Sequence, residues 1–229
     1  VTTTDGTVYV FGRGQRPGEA TALNSTWTVP VYGNHPSDPC YDASFAAAGC
    51  DQGWRWNLEY VQDPSGNTMT YFYAKETNTY RSGGGVLRTY DRAGYPVRID
   101  YGQRAGAEAT PAPMRVVFTT AERCTTLDGA CGDTLLGAGR YQDVPTDLVC
   151  PAGGPCLVTS PTFFTSKRLA SVVTQVRQGA GYQDVDRWTL GHTLPSPGDT
   201  TNASLWLDSI THTGLVGTAI TLPAVKFTG

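Results

Sequence analysis

Short runs in which apolar and polar residues alternate, each closed by a turn rich in Gly or Pro, recur along this chain and limit what it can fold into. The clearest run is Trp54–Tyr73. Trp54, Trp56, Leu58 and Tyr60 alternate with Arg55, Asn57 and Glu59; beyond Asp63-Pro64-Ser65-Gly66-Asn67, Met69, Tyr71 and Tyr73 alternate with Thr68, Thr70 and Phe72. Pro supplies a fixed φ to such a turn and Gly a positive one, and a period of two on both sides predicts a half-buried β-hairpin.

Looser versions follow the same rule. Val8–Phe11, Met114–Phe118, Arg168–Val176, Asp184–Leu190 and Leu205–Gly214 read as strands. Gly94–Gly102 places Tyr95, Val97, Ile99 and Tyr101 on one face. Pro30 confines the strand Trp27–Tyr32 to an edge or a bulge, and Pro223 interrupts the strand Ile220–Phe227. Lys75–Tyr90 is polar around Ser82-Gly83-Gly84-Gly85 and reads as a flexible loop, while Ser44–Ala48 suits one short helical turn. The expectation is one all-β domain over residues 1–229 with roughly ten strands and no long helix. Its successive antiparallel hairpins form a twisted, partly curled sheet with disulfide-stapled loop insertions. Residues 121–161, which lack periodicity, form a cysteine-rich insertion within it.

The six cysteines fall into close couples: Cys40 and Cys50, Cys124 and Cys131, Cys150 and Cys156. Sequence alone allows about fifteen connectivities; local pairing is favoured, and disulfides place the chain in an oxidising compartment. Zinc is disfavoured: no couple is Cys-x-x-Cys, and His35 is the only nearby histidine. A net charge of -3 offers no electrostatic attraction to nucleic acid or an anionic membrane, and no apolar run reaches the roughly 18 residues that span a bilayer. The opening Val-Thr-Thr-Thr-Asp-Gly reads as strand and turn rather than leader, so the expectation is a piece of a longer protein or a matured product.

Catalytic constellations are sparse. His35, His192 and His212 sit in unrelated contexts, and no Gly-x-Ser-x-Gly elbow occurs. Asp184 and Asp186, two apart, share a face of a regular strand, and Glu59 and Asp63 flank the central turn; paired carboxylates of this kind are what an extracellular glycoside hydrolase would use, the weakest of the functional readings. Asp63–Asn67 and Asp128–Asp133 are too sparse for a calcium loop and read as turns, so neither metal nor cofactor is expected. Trp54, Trp56, Tyr60, Tyr71 and Tyr73 form the candidate ligand surface, a platform for stacking on sugar rings. Packing between sheet layers explains the same aromatics better.

Across the strands a repeat is visible. Thr4–Phe11 and Val61–Tyr73 share a turn followed by a climbing aromatic strand, and Gly94–Gly102 is a complementary half, echoed at Arg168–Val172 and Leu207–His212. The run Asp63-Pro64-x-Gly66-Asn67-x-x-x-Tyr71-x-Tyr73 resembles the RHS/YD-repeat proteins, large secreted or surface-attached bacterial polypeptides. Trp54–Asn57, Arg98–Gly102, Glu122-Arg123-Cys124 and Gly181–Arg187 resemble a subgroup whose repeats carry cysteine-stapled insertions. The resemblance implies a segment of a β-sheet shell around a toxic cargo: non-enzymatic, secreted or at the cell surface, with the rest of its parent chain or the cargo as partner. A cell-surface glycan is the alternative partner. The family's core module preceding the cargo is missing here, and no self-cleaving or toxic activity carries over.

Overall fold

The computed structural model describes residues 1–83, 85–124, 131, 140–150 and 155–228. Its strands are β1 (Val8–Phe11), β2 (Thr26–Val31), β3 (Cys50–Trp56), β4 (Leu58–Gln62), β5 (Asn67–Arg81), β6 (Leu87–Arg104), β7 (Met114–Glu122), β8 (Lys167–Gln178), β9 (Gly181–Thr193), β10 (Trp206–Gly214), β11 (Ile220–Thr221) and β12 (Val225–Lys226). The fold is all-β. One open antiparallel sheet has the order β1-β4-β5-β6-β7-β8-β9-β10-β11, with β12 also on β10, while β2 and β3 form a separate two-stranded ribbon. From β4 to β10 each strand pairs with its neighbour in sequence. No helix among the described residues is long and apolar enough to cross a membrane.

The β4–β5 turn forms as its residues dictate. Gly66 takes φ +78° and its N–H donates to the Asp63 carbonyl at 3.0 Å, while the Asp63 carboxylate accepts from the Asn67 backbone N–H at 2.8 Å and its side-chain amide at 2.6 Å. The strand expected before it is nevertheless broken. Trp54 and Trp56 lie in β3, which pairs with β2, whereas only Leu58–Gln62 joins the main sheet. Asn57 makes the break, its backbone N–H and side-chain amide both donating to the Ser25 carbonyl, at 2.8 and 3.0 Å.

Lys75–Tyr90 is also corrected. It is not a loop: β5 runs to Arg81 and β6 begins at Leu87. Its polarity reflects what it binds. Three bulges in β6, each adding one residue, at Gly102, Val97 and Arg92, change which face the following residues occupy. The bulge at Val97 therefore puts Tyr95, opposite Ala74, on a different face from Ile99 and Tyr101, opposite Tyr71 and Met69.

One face of β5 is buried and largely polar: Thr68, Thr70, Phe72, Glu76, Asn78 and Tyr80 are each 6% exposed or less. The two-stranded ribbon and the loops cover it, and buried carboxylates hold them. Glu76 accepts from the Ser166 N–H (3.0 Å) and hydroxyl (2.9 Å), from the Thr165 hydroxyl (2.5 Å) and from Arg92 Nη2 (2.8 Å). Arg92 also donates to the Phe164 carbonyl at 2.8 Å and lies over its ring. Asn78 donates to the Leu148 carbonyl, and Tyr90 exchanges hydrogen bonds with the Thr162 backbone at 2.7 and 2.8 Å. Asp91 accepts from the Thr28 N–H (2.7 Å) and from Lys75 Nζ (2.8 Å), fastening the ribbon. Glu59 accepts from the Ser25 hydroxyl (2.5 Å) and the Gly14 N–H (2.7 Å), fastening the loop after β1. Gly94 allows the ribbon to approach, since a Cβ there would sit 2.5 Å from both the Trp27 ring and the Ala74 carbonyl.

The cysteines pair locally, Cys40–Cys50, Cys124–Cys131 and Cys150–Cys156, with Cα atoms 5.0, 6.3 and 4.9 Å apart. Cys124 and Cys131 form a small core with Tyr141, Val144 and Phe164, giving residues after β7 an apolar nucleus of their own. Residues 125–130, 132–139 and 151–154 of the expected insertion, and Gly84, lie outside the described residues.

Breaking a buried ion pair strands a charge, so Glu76→Ala should cost about 3–5 kcal/mol in urea unfolding. Lys226→Ala removes half of an exposed pair with Asp208 and should cost about 1 kcal/mol or less. Equal losses would contradict the role given to Glu76.

Candidate functional site

The register aligns a polar row across six strands. Tyr60 of β4 pairs with Thr70 of β5, Thr70 with Asp100 of β6, Asp100 with Arg115 of β7, Arg115 with Gln175 of β8, and Gln175 with Asp184 of β9. Directly opposed residues share a sheet face, so these side chains stand side by side. Arg115 Nε donates to Gln175 Oε1 at 2.5 Å, Gln175 Nε2 donates to Asp184 Oδ1 at 2.5 Å, and Arg187 pairs with Asp184 at 3.2 Å.

Over the middle of the row is a cleft of about 240 Å³, bordered by Arg16, Glu19, Arg98, Asp100, Arg115 and Tyr182. Arg16 comes from the loop after β1 and is 6% exposed; its Nη2 pairs with Glu19 at 2.5 Å and its Nη1 lies 3.5 Å from Asp100. Arg98 Nε approaches Asp100 Oδ1 to 2.9 Å, off the hydrogen-bonding direction, and its guanidinium lies 4.0 Å over the Phe72 ring. Arg115 lies 3.6 Å over the Tyr182 ring, whose hydroxyl donates to the Ala112 carbonyl. Burial pushes the Asp100 carboxyl above its ordinary 3.8, against the pull of Arg98 and Arg16.

A second cleft, of about 370 Å³, opens at the Tyr60 end between Val8, Val10, Arg13, Gln15 and Glu108. The Tyr60 hydroxyl donates to Glu108 at 2.9 Å, and burial followed by this carboxylate pushes its pKa up. Burial opposes ionisation of Glu108, but hydrogen bonds from its own backbone, Gly106 and Tyr60 outweigh it and hold the carboxyl below its usual range.

The aromatics expected to bind a ligand are not gathered on one open face. Trp54 packs 5.6 Å from Trp27 and 4.4 Å from Phe163, and its Nε1 donates to the Asp91 carbonyl. Tyr60 is 7% exposed. Tyr71 directs its hydroxyl to Met69 Sδ, and Tyr73 donates to the Leu58 carbonyl, burial pushing its pKa up to about 12. Trp56, 58% exposed, stands beside Gly12 and Gly53 at the open end of the ribbon.

Asp184 and Asp186 do not share a face. Val185 is the extra residue of a bulge, which sends Asp184 to Gln175 and Asp186 to His212 Nε2, 2.8 Å away. His212 stacks on Trp188 with centroids 4.8 Å apart, and His192 lies 3.4 Å from Arg168. Glu59 is 1% exposed and Asp63 belongs to its turn, so they form no pair. Among the described residues, no three His, Cys, Asp or Glu side chains converge as metal ligands.

No protein-family model matches the chain, and no curated protein is similar to it. Among solved structures, the N-terminal domain of effector protein SpvB from Salmonella typhimurium strain LT2 is similar at 14% identity over 96% of this chain and 58% of its own, with a TM-score of 0.42. TcdB2-TccC3-TEV is similar at 14% identity over 89% of this chain and 10% of its own, TM-score 0.42. TcdB2-TccC3-Cdc42 is similar at 13% identity over 99% of this chain and 11% of its own, TM-score 0.40. The chain thus spans between 10% and 58% of the length of these structures.

Arg16, Arg98, Arg115, Gln175 and Tyr182 were not among the sequence-derived candidates. The available signal was Arg98 and Asp100 two apart in an otherwise aromatic strand, which places both charges on one face. Asp63 and Asp100 should titrate on opposite sides of 3.8 in carboxyl-carbon NMR, Asp63 below because Asn67 bonds its ionised form and Asp100 above because it is buried. Asp63 then contributes stability above 3.8 that is lost as pH falls through its lower folded value; protonation of Asp100 favours the folded state as pH falls through its raised one. The reverse order would contradict the geometry.

Proposed function

We propose that this chain is a non-enzymatic wall segment of a large, secreted, RHS-like bacterial protein, acting in encapsulation or display linked to toxin delivery. The observation that carries the reading is the sequence-ordered sheet β4–β10, in which each hairpin adds its strand to the preceding one. Units stacked in this way bury their faces only against neighbours. The Asp63–Asn67 motif that suggested the family makes the β4–β5 turn. Three local cystines suit an extracellular location. At the far edge, Ile220, Leu222 and Val225 are more than half exposed, a surface suited to the remainder of a parent chain or its cargo.

The alternative, a carbohydrate- or surface-binding module, has Trp56 in its favour. Electron cryomicroscopy of the full parent protein separates the two: the wall reading expects strands from elsewhere in the parent, or its cargo, against the β10–β12 edge. A segment standing apart on a linker, and a glycan affinity abolished by Trp56→Ala, would overturn it.

A further inference from the structure

We infer that the Arg16–Arg98–Arg115 cleft is a binding site for a small oxyanion group, carboxylate, sulfate or phosphate. Three guanidinium groups border it against two carboxylates, Glu19 and Asp100, leaving excess positive charge in a partly enclosed space. Those carboxylates do not exhaust the available donors: Glu19 takes Arg16 Nη2 at 2.5 Å, and Asp100 meets Arg16 Nη1 and Arg98 Nε as ion pairs. Arg16 Nε and Nη1 and Arg98 Nε are buried and make no well-directed hydrogen bond, nor does Asp100 Oδ1, although Arg98 Nε lies 2.9 Å from it. Among the described residues, the terminal nitrogens of Arg98 and Arg115 have no hydrogen bond either.

Stacking orients those groups. With Arg98 over Phe72 and Arg115 over Tyr182, both guanidinium groups are held by aromatic faces, and their terminal N–H groups remain for a planar or tetrahedral acceptor. Gln175 of β8 and Asp184 of β9 extend the Arg115 support across two further strands, so its position is fixed before any ligand arrives. Buried donors without partners are costly, and an oxyanion supplies several acceptors at once. The excess charge also separates this cleft from the one at Tyr60, where Glu108 already takes the phenol and an amide N–H.

The test is NMR titration of the whole chain with sodium acetate, sulfate and phosphate, each against chloride at constant ionic strength, following the arginine Nε–H resonances. Saturable shifts confined to Arg16, Arg98 and Arg115 are expected. A response to acetate alone identifies a carboxylate ligand, and a response to sulfate or phosphate a tetrahedral one. Arg98→Gln should weaken binding by about tenfold or more, the loss of a charge-assisted contact. Glu19→Gln, which frees Arg16 at a partly exposed position, should tighten it. Shifts that never saturate, that spread over the surface arginines, or that persist equally in Arg98→Gln overturn the proposal, as does weaker binding in a folded Glu19→Gln variant.

Discussion

Hydrogen bonds from loops to buried carboxylates are the interaction on which the rest of this structure depends. An open sheet with a largely polar buried face cannot be covered by apolar contact alone, and few aliphatic side chains among the described residues are fully buried. Glu59, Glu76 and Asp91, at 1%, 6% and 7% exposure, instead hold the loop after β1, the segment before β8 and the ribbon. Hydrogen bonds to a charged group contribute roughly 1.5–3 kcal/mol each, about twice a neutral one, while a carboxylate stranded without them is strongly destabilising. Each loop therefore has a specified place, and each carboxylate needs its loop.

The same economy explains the arginine cleft. Asp100 is a fourth buried carboxylate on the face covered by Arg16, but unlike Glu76 it is met by guanidinium groups whose geometry leaves donors over. The contrast lies within one sheet. Around Glu76 and Arg92 the partners close on one another, as expected of a structural clasp; around Asp100 they do not, as expected of a place where something else binds. In the proposed wall segment, the inferred recess would hold an acidic group of the parent chain or its cargo.

Much of the architecture was legible in the sequence because turn chemistry and period-two alternation act locally. Asp63–Asn67 makes its turn, Pro30 lies in a two-stranded ribbon, and Pro223 separates β11 from β12. What escaped were the effects of single residues on longer runs. Asn57, turned towards Ser25, cuts one apparent strand in two, and bulges at Val97, Arg92 and Val185 exchange faces in ways that a strict alternation cannot register. The polarity of Lys75–Tyr90 suggested solvent, whereas Glu76 and Asn78 within it, and Asp91 and Arg92 just beyond, are polar because they bind segments distant in sequence. The cleft was hidden for a related reason: Arg16, Arg98 and Arg115 come from a loop and two strands, and only the sheet register brings them together.

Amide hydrogen exchange, resolved by residue, tests the carboxylate clasps most directly. The N–H groups of Gly14, Thr28 and Ser166, which donate to Glu59, Asp91 and Glu76 at 2.7, 2.7 and 3.0 Å, belong to the covering segments rather than to the main sheet. If the clasps hold, these amides exchange as slowly as those of the central strands β5 and β6, because they open only when the cover is lifted. Exchange at the rate of exposed loop residues such as Ala20 and Thr21 would show that the loops rest on the sheet without being held by it.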